Sequence, residues 1–518
     1  MNLLTDQWIP VRPLDGGGVE KISLRELLCG EGRWELCLPR DDMELAAIQL
    51  LICISQALFT PKDAGELRSR IARPITEEEY ESAVQAVIDW FCLDHPKQPF
   101  MQVRGVPAKD PTPMDKLLAG VTGATNCCFV NGSGLAEQLC GGCTSIALFN
   151  LGSCSPSFGG GFKPGLRGPA TPITTLVQGR HLKETVWLNV LSEEEVERIM
   201  PWYQQTRMQK TTWIEPIKTG EKIAAQQIGL IRGLFWQPAC VEVLPAIGAG
   251  QCSCCGFQSK QVYSSFNKAK FNYSIEDTWP HPHSPLTMVK KKVGIEQRFA
   301  SFGTSSVPSW TQLARIVVQQ QIDDSYLEGH QPAAVVQQAR KLYGQQARKL
   351  HLLIGGYLNR AGQASVVGRR HEVFTLNHGW DSNTNVISYL VSLGRGYGEA
   401  LNKALYVFVN GIKKNEVKGA GVKFHQAAES QFYRRSEPTI EDTLANIAFS
   451  DPVPALARMR KALKYIVEDL FDESVRPYLQ DPELIRTLAV ARMTLRKHLN
   501  GLEPQHDKGG KNATTATP

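Results

Sequence analysis

The sequence predicts an α+β protein: a large mixed N-terminal domain with glycine-rich loops and a cysteine knuckle, followed by a C-terminal four-helix bundle. Three observations predict it. Short strand-like runs alternate with amphipathic helices up to about residue 375, apolar residues then recur at offsets of three and four, and a polar tail ends the chain. We therefore predict domains at residues 1–375 and 376–502 and a disordered tail at 503–518.

The N-terminal domain is predicted from local patterns. Residues 8–11 form an extended segment, and acids at 41, 42 and 44 open an apolar helix over 41–58. A second helix covers 77–91, with its apolar residues on one side. Three further runs are predicted as strands, at 172–177, 185–191 and 228–236.

The C-terminal domain is predicted from helical periodicity. One apolar stripe consists of Leu456, Met459, Leu463, Ile466 and Leu470, and another of Leu484, Leu488, Ala491, Leu495 and Leu499. Two more helices, at about 383–413 and 422–436, make four in all. Their short connections favour antiparallel neighbours, which predicts the bundle.

Length and composition fit an ordinary globular protein of two to four domains, with 518 residues, 42% hydrophobic and 21% charged. The longest apolar run, residues 45–54, is too short to span a bilayer, and the start lacks a secretion signal. We therefore expect a cytoplasmic protein with no membrane partner. Thirteen cysteines in such a chain favour reduced thiols over disulfides, and those in apolar surroundings are predicted to be small buried hydrophobes: Cys29, Cys37, Cys53 and Cys92.

Residues 126–168 are the most unusual stretch. Ten of them are glycine, which predicts loops rather than a packed helix or strand. An aromatic-aliphatic-amide tip, Phe129, Val130 and Asn131, precedes a triple-glycine turn, Gly159, Gly160 and Gly161. Loops on a rigid scaffold commonly carry function, so we predict a recognition surface here.

Two Cys-x-x-Cys pairs predict a metal site. Cys140 and Cys143 form one, and Cys252 and Cys255 the other, with 108 residues between them. Four thiolates suit a tetrahedral, closed zinc site, so we predict one structural Zn²⁺ per chain. Cys254 is a competing ligand that the x-x spacing disfavours, and the alternative is that the pairs never meet and remain free thiols.

His281 and His283 lie in a proline-rich turn. We interpret this turn as a rigid corner with hydrogen-bonded histidines, in preference to a second metal site.

The middle of the chain suggests a nucleic-acid partner. Residues 258–299 hold seven basic residues against three acidic ones, interleaved with aromatics, and residues 329–371 hold no acid. Such mixtures bind phosphates and stack bases, and a bare glycine turn can approach the minor groove closely. Residues 355–365 are typical of a hairpin with a polar tip, where Gln363 could act as a wedge between base pairs.

Sequence signatures of catalysis do not occur: there is no phosphate-binding loop, no H-E-x-x-H and no G-x-S-x-G. We therefore predict that the chain is not an enzyme. Two alternatives remain open at this point: a zinc-dependent nuclease, and a zinc-stabilised structural assembly subunit whose basic patches are incidental.

The motifs taken together resemble one family, the CasA family, which is the large subunit of the type I-E CRISPR surveillance complex Cascade. The resemblance runs from residue 1 to about 500, through LPRDDMELAA (38–47), LLAGVTGATNCCFVN (117–131), LCGGCTSIALFN (139–150), FGGGFKPGLRG (158–168), GLFWQPA (233–239), CSCCG (252–256), WPHPHSP (279–285), PSWTQ (308–312) and RRHEVFTLNHGW (369–380).

The resemblance implies a DNA-recognition subunit of an antiviral defence complex. Such subunits recognise the protospacer-adjacent motif (PAM) in double-stranded DNA through the minor groove, start strand separation and R-loop formation, and recruit a helicase-nuclease. Other Cascade subunits and the 5′ end of the CRISPR RNA are the further partners implied.

Site residues follow from the same resemblance. The glycine loop centres on Gly160, the groove lysine falls on Lys270 with Lys268 close enough to compete, and the wedge falls on Gln363. The tip at residues 129–131 matches the loop that engages the guide and the PAM region. The stretch before Gln363 is one residue longer than the family pattern, so PAM preference can differ.

Overall fold

The computed structural model describes most of the chain, and the residues that it describes are 1–119, 136–168, 172–292, 294–302, 307–322, 328–343, 348–359, 366–414 and 423–504. Several predicted features lie outside these residues, namely the loop tip Phe129, Val130 and Asn131, the wedge residue Gln363, and the tail beyond residue 504.

The chain divides into two compact units. The first comprises Met1–Ser305, Gln319–Gly344 and His351–Val373, and the second comprises Ser306–Val318, Gln345–Leu350 and Phe374–Pro518. The second unit therefore takes in two short segments that precede the helical C-terminal region.

Helices and strands are mixed in the chain, so the predicted α+β class is confirmed. The described α-helices are α1 (Leu24–Cys29), α2 (Asp41–Leu58), α3 (Ala64–Ala72), α4 (Glu77–Gln85), α5 (Gly141–Ser153), α6 (Leu182–Leu188), α7 (Glu193–Ile199), α8 (Tyr203–Thr206), α9 (Leu230–Leu234), α10 (Leu313–Val317), α11 (Ala334–Tyr343), α12 (Thr384–Lys414), α13 (Phe424–Asn446), α14 (Val453–Val475) and α15 (Ile485–Asn500). The described strands are β1 (Ile9–Pro13), β2 (Glu20–Ile22), β3 (Trp34–Leu36), β4 (Thr112–Pro113), β5 (Leu139–Cys140), β6 (Thr174–Val177), β7 (Glu221–Ala224), β8 (Cys240–Val243), β9 (Gly250–Gln251), β10 (Gln258–Ser259), β11 (Val262–Tyr263), β12 (Ser265–Ala269), β13 (Tyr273–Glu276), β14 (Leu286–Lys290), β15 (Ile295–Phe299), β16 (Glu328–Gln331), β17 (Leu350–Asn359) and β18 (Val366–Leu376).

Helix α2 begins and ends where the sequence predicts. Asp41, Asp42 and Glu44 lie in its first turn, where carboxylates stabilise the exposed amide groups. The second predicted helix is shorter than expected: α4 ends at Gln85, and a separate 3₁₀ turn covers Ile88–Phe91.

Two of the predicted strands are wrong. Residues 185–191 and 228–236 lie largely in the helices α6 and α9. A short, fully buried apolar run has no periodicity that separates strand from helix. In α6 the N-cap favours the helix over a strand, because His181 Nδ1 accepts a hydrogen bond from Glu184 N at 3.2 Å. The predicted strand at 172–177 is confirmed as β6.

Residues 126–168 were predicted to be loops for most of their length, and that prediction missed one helix within them. Residues 141–153 form the buried helix α5. Its glycines serve close packing instead of turns: a Cβ on Gly142 would lie 2.9 Å from the Trp8 carbonyl oxygen, and one on Gly152 would lie 2.3 Å from that of Trp236. Tertiary contact therefore outweighs the low helix propensity of glycine.

The small sheets of the first unit position the site. β12 lies between β4 and β8, with Lys268 opposite Val241. β17 lies between β18 and β6, with Leu352 opposite Val177. β17 and β18 are thus neighbours on either side of residues 360–365, which agrees with the predicted hairpin.

Four long helices dominate the second unit. α12 packs against α13, α14 and α15, and α13 packs against α14. In α14 the predicted stripe is buried except at Ile466, where Val467 takes the inward position. α13 continues beyond the predicted end at 436: the chain stays helical through Pro438 to Asn446.

Of the four cysteines predicted to be buried hydrophobes, only Cys53 is buried. Cys29, Cys37 and Cys92 are partly exposed. Each of these three lies at or just after the end of a short element, where an apolar neighbourhood in sequence does not ensure burial in the fold.

Candidate metal centre and nucleic-acid interface

The structure brings the two Cys-x-x-Cys pairs together in the first unit. Cys140 ends β5 and is the N-cap of α5, so Cys143 lies in the first turn of that helix. Cys252 and Cys255 lie in the turn between the antiparallel strands β9 and β10. β11, which follows β10, pairs with β5. Main-chain pairing therefore carries the second pair of cysteines to the first.

The spacing of the four sulfur atoms fits a single metal ion. All four lie within 4.8 Å of one another, and Cys140 Sγ is 3.8 Å from Cys255 Sγ. A tetrahedral ion at the usual zinc–thiolate distance of about 2.3 Å places its sulfurs about 3.8 Å apart. All four cysteines are free thiols. Cys254 lies outside this group, so the geometry agrees with the preference for Cys255.

The electrostatics of the cluster favour a thiolate at Cys140. Cys140 and Cys143 are buried, and hydrogen bonds from Cys143 and its neighbours lower the pKa of the Cys140 thiol. The same contact raises the pKa of Cys143. The N-terminus of α5 adds roughly half a positive charge beside these sulfurs. Sequence reasoning missed one further contact, from Lys21 Nζ to Cys140 Sγ at 3.3 Å.

The triple-glycine turn has left-handed backbone at all three positions. The φ angles are +73° at Gly159, +55° at Gly160 and +90° at Gly161. Among the described residues, apart from its two chain neighbours, no atom lies within 4 Å of where a Cβ on Gly160 would stand. Packing against the described residues therefore does not require a glycine at 160, and its backbone is exposed.

Aromatic rings join this turn to β12. Phe158 stacks on Phe266 with ring centroids 5.8 Å apart, and Phe162 meets Phe158 edge to face at 5.3 Å. Lys268 Nζ lies 4.3 Å from the centre of the Phe158 ring, and Lys270 Nζ lies 5.6 Å from that of Phe162. The predicted glycines and both predicted lysines thus form one surface, held by two phenylalanines that the sequence analysis did not single out. The F-G-G-G-F pattern at residues 158–162 was the sequence signal that could have identified these two phenylalanines.

The two lysines differ in exposure. Lys268 is partly buried over the Phe158 ring, and burial, with the nearby charge of Lys116, lowers its pKa. Lys270 is exposed, and its Nζ would lie 3.3 Å from a Cβ on Gly161. Lys268 therefore packs against the turn through Phe158, whereas Lys270 lies beside Gly161 with its ammonium group exposed to solvent.

The proline-rich turn is a hydrogen-bonded corner, as predicted. His281 and His283 are buried, and His281 Nδ1 accepts a hydrogen bond from His283 N at 3.1 Å. Burial lowers the pKa of His283 to about 3, with the charge of Arg167 adding to the shift. Within the ranges that the structure describes, the four-cysteine group is the metal-binding cluster found.

Sequence reasoning also missed a buried polar network in the first unit. Arg40 donates to both carboxylate oxygens of Asp42, at 2.9 and 2.7 Å. The Tyr357 hydroxyl donates to Asp42 Oδ2 at 2.8 Å and accepts from Asn150 Nδ2 at 2.7 Å. Burial alone would raise the pKa of Asp42, but the Arg40 hydrogen bonds lower it. The network ties α2 and α5 to β17, the strand that leads to residues 360–365.

Helices long and apolar enough to cross a membrane are not found among the residues with described positions.

These features define an α+β protein with four cysteines spaced for one metal ion and a surface formed by the glycine turn and two lysines. The model of the family CRISPR-associated protein Cse1 matches residues 2–470, and the chain belongs to this family. The resemblance to CasA is thereby confirmed.

Individual relatives are distant. The CRISPR-associated protein CasA/Cse1 of Thermus thermophilus is 27% identical over 128 residues, which are 24% of this chain and 25% of that protein. The structure of Thermus thermophilus CasA (Cse1) aligns with a TM-score of 0.73 at 17% identity, over 97% of this chain and 99% of the other. A chain of a CRISPR RNA-guided surveillance complex aligns with a TM-score of 0.67 at 15% identity, over 96% and 99%. These structural likenesses establish the fold.

Proposed function

We propose that this chain is the DNA-recognition subunit of a CRISPR RNA-guided surveillance complex in the cytoplasm. One observation carries the proposal: an exposed glycine turn at Gly160 lies beside the exposed ammonium group of Lys270. Family membership supplies the setting, and the fold of a chain from such a complex supports it.

The glycine turn reads the PAM in the minor groove of double-stranded DNA. The narrow groove admits backbone without side chains, and its donor and acceptor pattern is degenerate, so a short and tolerant motif is what such a turn can recognise. Lys270 supplies a donor and a positive charge in the groove. Lys268, packed on Phe158, keeps the turn on β12.

Strand separation follows PAM binding. Gln363, between β17 and β18, enters the duplex and displaces the first base pair, and the guide RNA captures the opened strand to form the R-loop. The tip at Phe129, Val130 and Asn131 engages the 5′ end of the CRISPR RNA. The basic stretches hold phosphates and the displaced strand.

The four cysteines hold one structural Zn²⁺. The sulfur spacing and the all-thiolate donor set fit zinc, and four protein ligands close its coordination shell. Such a site offers no metal-bound water, so we propose that the chain is not an enzyme. The ion adds a direct link between the start of α5 and the β9–β10 turn to the pairing of β5 with β11.

The four helices α12–α15 form an antiparallel bundle that faces other subunits of the complex. The chain recruits the helicase-nuclease that degrades the target in antiviral defence. The packing of α12 against three other helices supports the bundle.

The test uses the complex reconstituted with its guide RNA and a labelled duplex. Lys270→Ala is expected to weaken binding of PAM-bearing DNA at least tenfold, whereas Lys62→Ala, at an exposed lysine of the same unit, leaves it unchanged. Element analysis of the purified chain should give about one zinc. DNA binding that ignores Lys270 would instead favour a purely structural subunit.

A further inference from the structure

Lys21 contacts the cysteine cluster from a third segment of the chain. It lies on β2, an edge strand of the β2-β1-β3 sheet, far in sequence from both cysteine pairs. Its Nζ is 3.3 Å from Cys140 Sγ and 5.2 Å from the centre of the Phe257 ring. Phe257 follows the second cysteine pair by two residues. The ammonium group therefore contacts Cys140 of the first cysteine pair and Phe257 in the β9–β10 hairpin, which carries the second pair.

Charge explains why a cation is needed at this position. A divalent ion bound by four thiolates carries a net charge of about −2, and burying an uncompensated charge is costly. Three of the four sulfurs belong to residues that are nearly inaccessible to solvent, Cys140, Cys143 and Cys252. The N-terminus of α5 offsets only about half a charge. A full positive charge in hydrogen-bond contact with a sulfur offsets far more.

The contact also has the geometry of a hydrogen bond to a ligand. Lysine carries three N–H donors and no acceptor, so at 3.3 Å the N–H group donates to Cys140 Sγ. Groups that hydrogen-bond to metal ligands fix their orientation and tune the metal, and removing one typically lowers metal affinity by roughly 10- to 100-fold. The Phe257 ring holds the ammonium group through a cation–π contact.

We propose that Lys21 is a positioning residue of the metal centre: it donates a hydrogen bond to metal-bound Cys140, balances the charge of the site and so retains the ion. This inference rests on the zinc site proposed above. It also makes the ion a link between the N-terminal sheet and the two cysteine segments.

The first test compares zinc affinity in full-length variants. Lys21→Met keeps the side-chain length without the charge, Lys21→Arg keeps a cationic donor, and Lys222→Met alters an exposed lysine on another strand. Competition with a chelating dye should show a 10- to 100-fold weaker affinity for Lys21→Met. Lys21→Arg should recover most of the loss, and Lys222→Met should match the unaltered chain.

The second test separates a hydrogen bond to sulfur from a general loss of stability. In Co²⁺-loaded protein the thiolate-to-metal charge-transfer band should move to lower energy in Lys21→Met, because the sulfur lone pairs lose a donor. Phe257→Leu, which removes the ring and leaves Lys21 in place, should give a smaller shift of the same sign and serves if Lys21→Met does not fold.

The outcomes distinguish the two proposals. Zinc in the unaltered chain, with the same affinity and the same Co²⁺ band in both variants, overturns the role of Lys21 and leaves the zinc site standing. An unaltered chain that binds no metal overturns the zinc site and this inference with it.

Discussion

Replacing Gly160 by alanine tests whether DNA contacts the bare backbone of the glycine turn. The φ angle there is +55°, and a Cβ would have no atom of the described residues within 4 Å apart from its chain neighbours. An alanine in left-handed backbone costs about 1–2 kcal/mol. Because the added Cβ does not clash with the described residues, we expect the free energy of unfolding of Gly160→Ala to fall by that amount only. Against DNA the same methyl group overpacks a close contact, which costs about 1–3 kcal/mol more, or roughly 5- to 150-fold in Kd.

Gly16→Ala is the matched control for this substitution. Gly16 lies between β1 and β2 with a φ of +97°, and a Cβ there is likewise more than 4 Å from every described residue other than its chain neighbours. Urea denaturation should show similar losses of stability for the two variants. Fluorescence anisotropy at fixed salt, with the reconstituted complex and PAM-bearing duplex, should show weaker binding for Gly160→Ala alone. Equal affinities for the two variants would refute the backbone contact.

Three further predictions follow. Gln363→Ala should slow strand opening more than initial DNA binding in stopped-flow fluorescence, because a wedge acts after contact is made. Tyr357→Phe should lower the free energy of unfolding in urea by about 1–3 kcal/mol, because the buried Asn150 amide and Asp42 carboxylate each lose a partner. Since burial lowers the pKa of His283 to about 3, the unfolded chain takes up a proton there between pH 6.5 and 3 and the folded chain does not. Stability should therefore be full above pH 6.5 and fall as pH drops, by up to about 1.4 kcal/mol per pH unit, and His283→Gln should flatten that slope.

Each prediction has a control and a contrary outcome. Gln205→Ala changes an exposed glutamine and should leave both DNA phases intact, whereas equal loss of both phases in Gln363→Ala counts against a wedge. Tyr465 is 71% exposed, so Tyr465→Phe should cost nothing, and a neutral Tyr357→Phe would contradict the buried network. His378 is exposed, and an unchanged pH slope in both His283→Gln and His378→Gln would rule out the histidine as its source.

Local signals in the sequence predicted the parts of the site that depend on short spacings. The x-x interval in each cysteine pair identified the four sulfurs that come together, and glycines at 159–161 identified a turn with positive φ angles. Likewise, three acids at the start of α2 marked the beginning of a helix.

Long-range contacts were not predictable in this way. Lys21 reaches Cys140 from 119 residues away, and Tyr357 reaches Asp42 from 315 residues away, so no local pattern marks either pair. Helix α5 was missed for the same reason: the need for glycine at 142 and 152 arises from the backbone at Trp8 and Trp236, which lies elsewhere in the chain. Composition alone therefore suggested a loop where packing requires a helix.

The central claim, that this chain reads a short motif in double-stranded DNA, is tested most directly by binding to a duplex library. The library carries randomised base pairs beside a constant guide-complementary sequence, and the bound fraction of the reconstituted complex is sequenced. We predict enrichment of a short motif by the unaltered chain and loss of that enrichment in Gly160→Ala and Lys270→Ala, with assembly of the complex preserved. Binding without any enriched motif, or the same enrichment in all three proteins, would contradict the account.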